Sequence, residues 1–337
     1  MNRRDFVLGL STVLVARTGS PVMAGEGTGS VKSMKNDRTG TGFVFDEFYL
    51  QHEISRGHPE SPHRLESVME SMERSGLIRQ VKRLTPLQDA NPWLLKNHTQ
   101  GHIESIRQNY PRSHRVVVQV VAGALGAVRD VCAGSIRNAF CAIRPPGHHA
   151  LNTGKEEGFC YYNTIAIAAR YARQEYGLKK ILIVDWDYHH GNGTEAAFYS
   201  DPGVLFFSTH DLYAYPGTGH PGKTGEGEGK GYNINVHLDC GTTDREIIAV
   251  FEKQLMPVAR RFKPDMILIS AGFDSRVSDL LGCFNLSDQA FVRLTRMLME
   301  LADQYCDGRI VSLLEGGYNP EGLASAVTAH VKTLLDS

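Results

Sequence analysis

From about residue 140 onward the chain repeats one unit, a short continuous apolar run followed at once by a cluster of His, Asp, Gly or Tyr. Residues 140–143 precede Arg144-Pro145-Pro146-Gly147-His148-His149, and residues 181–184 precede Asp185-Trp186-Asp187-Tyr188-His189-His190-Gly191-Asn192-Gly193. Residues 204–207 lead into Ser208-Thr209-His210, residues 266–269 into the segment 270–274, and residues 310–314 into Glu315-Gly316-Gly317-Tyr318. Uninterrupted apolar runs of this length predict strands buried on both faces of a parallel sheet. Between them, residues 165–176, 244–261 and 288–305 read as helices. The alternation predicts an α/β fold, with an open, mainly parallel sheet covered by helices on both faces. In such sheets the ligand site lies beyond the carboxyl ends of the strands, so the five polar clusters are expected to converge on one pocket.

The first residues break this pattern. Arg3-Arg4 followed by Asp5-Phe6-Val7-Leu8, a short apolar stretch to Ala16, and a Val22-Met23-Ala24 exit have the layout of a twin-arginine export signal over residues 1–24. The alternative is a cytoplasmic extension. Residues 25–41, rich in Gly, Ser, Thr and charge, read as a flexible linker, which leaves 42–337 as one catalytic domain. An exported protein is expected to be periplasmic or secreted, and its mature form to carry no membrane span.

Composition narrows the partners. Thirty-six basic and 37 acidic residues give a net charge of -1, with no long single-sign run, so nucleic acid is not an expected partner. The 6 cysteines show no Cys-x-x-Cys pair, which argues against a cysteine metal site and a disulfide scaffold. Buried free thiols are expected instead.

The clusters suggest their own chemistry. Asp187 and His189, two residues apart past a strand end, leave the same face of extended chain and can grip one cation, with Asp274 supplying a third ligand from a neighbouring strand. Two carboxylates and one imidazole, with a position left open, suit a catalytic zinc. Alone, Asp-x-Asp-x-His-His also describes a loop with helix-capping acids; four further clusters at the same edge weigh against that. A single histidine is more often a satisfied core residue, but His148 and His149 are adjacent in a stiff loop, and each ring needs a partner to fix its tautomer. Asp185 and Asn192 are the candidates. Tyr318, after two glycines, is either an aromatic plug or a phenol that stays protonated near its usual pKa of about 10 and donates to a developing oxyanion.

Together these blocks, with Gly158-Phe159-Cys160 and Gly272-Phe273-Asp274, resemble the signature motifs of the zinc-dependent histone deacetylases, in order, from about His58 to the C-terminus. His58-Pro59-Glu60, Arg64-Leu65 and the Asp-Trp-Asp-Tyr-His-His-Gly-Asn-Gly form are similar to the class II branch and its bacterial relatives. The resemblance implies an arginase/deacetylase-like fold and one zinc on Asp187, His189 and Asp274. It further implies His149 with Asn192 as proton carrier, His148 with Asp185 as electrostatic tuner, and Tyr318 as the group polarising the acetyl carbonyl. Gly158 would contact the substrate amide, Phe159 and Tyr215 would flank the acetyl-lysine channel, and Leu281 would occupy the rim position where polyamine-selective relatives carry an acid. A structural potassium ion is implied at Asp185, Asp187, His189 and Ser208. The implied substrate is an acetylated lysine peptide or protein, with acetylated polyamines or other small amines as the alternative. A non-catalytic acyl-lysine reader would have lost a ligand or the tyrosine, and a two-manganese ureohydrolase would want more carboxylates.

Overall fold

The computed structural model describes residues 40–336. The expected export signal, 1–24, and all but the last residues of the expected linker lie outside them. The linker's expected end is corrected: Thr41 is fully buried and opens the first strand, where its backbone pairs in register with Asn138. A polar side chain there does not signal a loop, because backbone pairing decides the strand's start.

The strands are β1 (Thr41–Val44), β2 (Lys82–Arg83), β3 (Asn138–Cys141), β4 (Ile181–Asp185), β5 (Val204–His210), β6 (Asn233–His237), β7 (Met266–Ala271) and β8 (Ile310–Leu314). They form one 8-stranded sheet in the order β2-β1-β3-β8-β7-β4-β5-β6. Every pairing is parallel. The five strands read from apolar runs are all present, each within a few residues of expectation. Every residue of β4, β5, β7 and β8 is buried, as two covered faces require. After β3 the chain skips two positions to lay down β4, β5 and β6, then returns to fill the gap with β7 and β8. The loops after β3, β8, β7 and β4 therefore leave four adjacent strands at one edge, around a topological switch.

The helices are α1 (His63–Arg74), α2 (Asn91–Leu94), α3 (Gln100–Asn109), α4 (Pro111–Cys132), α5 (Thr164–Tyr176), α6 (Asn192–Phe198), α7 (Asp244–Val250), α8 (Met256–Phe262), α9 (Asp288–Tyr305) and α10 (Pro320–Leu335). On α4 the buried Val116, Val117, Val120, Val121, Ala124 and Val128 recur at helical spacing, and the helix packs on β1, β3 and α5. Helix α10 packs on both α1 and α9, and it also lies on β1 and β3. The expected helix over 244–261 is interrupted by a wide turn at Phe251–Leu255. Pro257, just inside α8, has no N–H for the regular ladder, and the wider turn absorbs that loss.

One cysteine expectation is corrected. Cys240, which is exposed, and Cys283 form a disulfide, with Cα atoms 5.1 Å apart. The partners are 43 residues apart in sequence, and only the fold brings the end of β6 against the segment after Asp274, where Gly241 N donates to Cys283 O at 2.8 Å. Cys141, Cys160 and Cys306 are buried thiols as expected.

A buried ionic cluster ties α1 to the sheet. Glu60 accepts a two-pronged bond from Arg144, at 2.8 and 2.7 Å, and a third bond from Arg64 at 3.2 Å. All three side chains are fully buried. Burial opposes the charge on the Glu60 carboxyl, but the His52 ring and the charges of Arg144 and Arg64 outweigh it and hold the group below its ordinary 4.5. Removing one partner of such a pair costs about 3–5 kcal/mol, so Glu60→Gln is expected to lose that much folding stability at neutral pH. A carboxyl depressed in the fold contributes fully above its unfolded pKa, and the contribution is lost as pH falls through the folded value. In urea titrations the gap between wild type and variant should therefore shrink progressively below pH 4.5; a gap independent of pH would contradict this.

Candidate active site

Strand β4 ends at Asp185, and the next residues bend across the sheet edge. His189 Nδ1 lies 3.1 Å from Asp187 Oδ1 and 3.0 Å from Asp274 Oδ2, with Asp274 carried by the loop after β7. One ligand atom from each residue lies within 4.8 Å of the others. Donors about 2.0–2.2 Å from a common zinc sit at such separations, and the imidazole and carboxylate set suits that ion. The remaining carboxylate oxygens are pinned, Asp187 Oδ2 by Gly316 N and Asp274 Oδ1 by Tyr188 N, both at 2.8 Å. Electrostatics agree with a cation site. Burial opposes a charge on His189, yet the two carboxylates push it up to about 10, while burial and the charge of Asp187 push Asp274 up to about 7. The cluster thus holds more negative charge than its surroundings offset, a condition that a bound dication relieves.

Two glycines make the convergence possible. A Cβ on Gly316 would overlap Asp274 Oδ2 and crowd Asp187 Oδ2, and one on Gly272 would overlap the Asp187 carboxylate. The motif glycines are thus fixed by close approach to the acids.

The tandem histidines sit where expected and with the expected partners. His148 Nδ1 is 3.0 Å from Asp185 Oδ2, and His149 Nδ1 is 2.8 Å from Asn192 Oδ1 at the start of α6. Burial opposes a charged His148, but Asp187, Asp185 and Glu315 outweigh it and raise its pKa well above the usual value. For His149 burial and the charges of His148 and His189 act together and hold the ring well below it. One ring thus favours the charged form and its neighbour the neutral form. Their loop is held by Glu315, whose Oε2 accepts from Gly147 N at 2.7 Å and from His148 N at 3.2 Å.

Tyr318 is only 4% exposed, and burial drives its phenol well above the ordinary range, so it stays protonated. The Arg64 guanidinium lies 5.0 Å from the centre of its ring and donates to Gly317 O at 2.6 Å and Glu315 O at 2.5 Å. Asp279 takes the Tyr318 and Asn319 N–H groups on one oxygen, at 2.6 and 3.1 Å. Above these groups opens a cavity of about 480 Å³ whose lining includes His149, His189, Gly158, Phe159, Tyr215 and Tyr318. Phe159 meets the Tyr318 ring at 5.9 Å, and Tyr215 meets His149 edge-on at 4.9 Å. Tyr215 and Leu281, 48% and 39% exposed, form the rim.

Of the residues picked from sequence, Ser208 alone stands apart from this gathering. It lies in β5 opposite Asp185, with its hydroxyl 2.9 Å from His210 Nδ1. Sequence reasoning missed the supporting roles of Glu60, Arg64, Arg144, Glu315 and Asp279, and the presence of Tyr188 and Glu156 in the cavity wall. Glu60, Arg64, Arg144 and Glu315 stand inside quoted motifs, so a signal existed for them; Asp279 has none without the fold.

Residues 58–334 match the histone deacetylase domain. The chain is 36% identical over 297 residues to a probable deacetylase of Archaeoglobus fulgidus, covering 84% of this chain and 82% of that protein. It is 35% identical to histone deacetylase 5 of Arabidopsis thaliana, covering 93% of this chain and 53% of that protein, so it spans about half the plant protein's length. The crystal structure of the HDA15 HD domain superposes with a TM-score of 0.83 at 34% identity, covering 89% of both chains.

The glycine constraint gives a direct check. Gly316→Ala is expected to force the Asp187 and Asp274 carboxylates apart and to cut bound divalent metal, measured by elemental analysis, well below one per chain with a native circular dichroism spectrum. Full metal retention would contradict the constraint.

Proposed function

The chain belongs to the histone deacetylase family, and we propose that it is a zinc-dependent hydrolase of the acetyl amide of acetyl-lysine in a peptide or protein. Hydrolytic deacetylation follows from the family, which is generally metal-dependent. The observation that carries the finer reading is the meeting of the Asp187, His189 and Asp274 donors under a cavity walled by His149 and Tyr318. Potassium is proposed for the neighbouring oxygen-rich segment of Asp185, Asp187, His189 and Ser208, supported by the pairing of Asp185 and Ser208 in adjacent strands.

Asp187, His189 and Asp274 would hold the zinc, which would supply Lewis acidity toward the carbonyl and toward a water. The chain's own groups do the rest. An amide oxygen only accepts, so Asn192 Oδ1 keeps the His149 proton on Nδ1 and leaves Nε2 free to take one. His149 thus removes a proton from the attacking water and returns it to the leaving amine. His148, charged and held by Asp185, offsets the acids around it and steadies the loop. As the carbonyl oxygen gains charge, the Tyr318 hydroxyl donates to it from a side chain that is itself almost fully buried. The Gly158 backbone faces the amide, and Phe159 and Tyr215 exclude water from the alkyl chain. Leu281 at the rim brings no acid of its own, so nothing at that position invites a second amine, and we place acetyl-lysine ahead of acetylpolyamine on that ground.

Loss of an oxyanion donor costs roughly a hundred- to a thousandfold in turnover, so Tyr318→Phe is expected to lower kcat by that factor with zinc still bound. The assay is hydrolysis of an acetyl-lysine peptide by zinc-reconstituted protein, with a hydroxamate chelator as control. Near-normal kcat in the variant would overturn the assigned role.

A further inference from the structure

Glu156 is the only acidic side chain lining the cavity among the described residues. It sits in the segment after the tandem histidines, two residues before Gly158, so its carboxylate comes from the Gly158 side of the cavity and not from the Leu281 position. It is not a loose surface group. Glu156 Oε1 accepts from Phe159 N, in a turn where Phe159 has the left-handed φ of 68°. Among the described residues no Lys, Arg or His forms an ion pair with it, and its neighbour Lys155 points to an exposed position. The walls beside it, Phe159, Ala214, Tyr215 and Leu281, bring no charge. A carboxylate fixed in the cavity wall with no cationic side chain paired to it leaves its charge free to attract a cation that enters beside it. A neutral acyl chain gives it nothing to hold.

We propose that Glu156 is a specificity determinant that selects substrates carrying a second cationic group, an ammonium or guanidinium, beside the acylated amine. This rests on the amide-hydrolase reading of the same pocket. Two sources share the chemistry: a mono-acetylated polyamine, and an acetyl-lysine flanked by a basic residue.

The test compares zinc-reconstituted full-length wild type with Glu156→Gln, which keeps an oxygen for Phe159 N and removes the charge. One substrate pair is a mono-acetylated triamine and its uncharged analogue of equal length. The other is an acetyl-lysine peptide with arginine beside the acetyl-lysine and the same peptide with citrulline there. In wild type, kcat/KM is expected to favour the cationic member by roughly three- to fivefold, the scale of one partly exposed charge pair, and Glu156→Gln to bring that ratio to about one. The pair that shows the preference identifies the source. Rising salt should erase the preference in wild type, which tests the charge without any variant. Calorimetric binding of the free triamine, against its uncharged analogue, should show the same dependence on Glu156 without turnover. Absence of hydrolysis of every substrate would sink the hydrolase reading alone. Ratios or binding unchanged in Glu156→Gln, or a preference indifferent to salt, would overturn the assignment.

Discussion

Three groups that repel or desolvate one another are gathered at a single point, and much of the fold around the site answers to that constraint. Asp187 and Asp274 are essentially buried carboxylates flanking one imidazole. Such a grouping is costly unless every spare lone pair is met and a cation completes it. The spare lone pairs are met by backbone, through Gly316 N and Tyr188 N. Parallel strands deliver these amides because their carboxyl ends open at one edge, and the return of β7 and β8 between β3 and β4 puts all four carriers side by side.

Around this centre lies a second tier of buried charge whose task is geometric. The Glu60, Arg64 and Arg144 cluster is no strong argument for stability in itself, since well-packed apolar groups often do as well. Its bonds go to particular places, though: Arg64 holds the carbonyls on either side of Gly316, and Arg144 holds those of Tyr49 and His52. Glu315, in turn, bridges the last strand to the loop of the tandem histidines. The phenol of Tyr318 and the ring of His149 are thus set relative to the Asp187, His189 and Asp274 side chains by backbone fixed from three directions.

Much of this was legible before any coordinates. Continuous apolar runs marked the central strands, because a strand covered on both faces leaves no polar position to confuse the reading. The clusters after them named the three converging donors and both histidine pairs, since residues of this chemistry placed after buried strands have one edge to converge on. The short flanking strands were not legible: β2 has two exposed, charged residues, and β6 opens on Asn233 and ends on His237. The Cys240–Cys283 bond was hidden for the same reason as the Asp279 bonds to Tyr318 and Asn319, both being contacts between distant segments that carry no local pattern. Glu156 was passed over because its place in the cavity wall depends on which way a loop turns, and a backbone bond from Phe159 N holds that turn.

The account's central claim is one cation shared by Asp187, His189 and Asp274, and anomalous diffraction from crystals of the zinc-reconstituted protein tests it most directly. The expected result is a single strong anomalous peak in bonding contact with His189 Nδ1, Asp187 Oδ1 and Asp274 Oδ2, facing the Tyr318 hydroxyl. A peak elsewhere, or two peaks bridged by these acids, would contradict it.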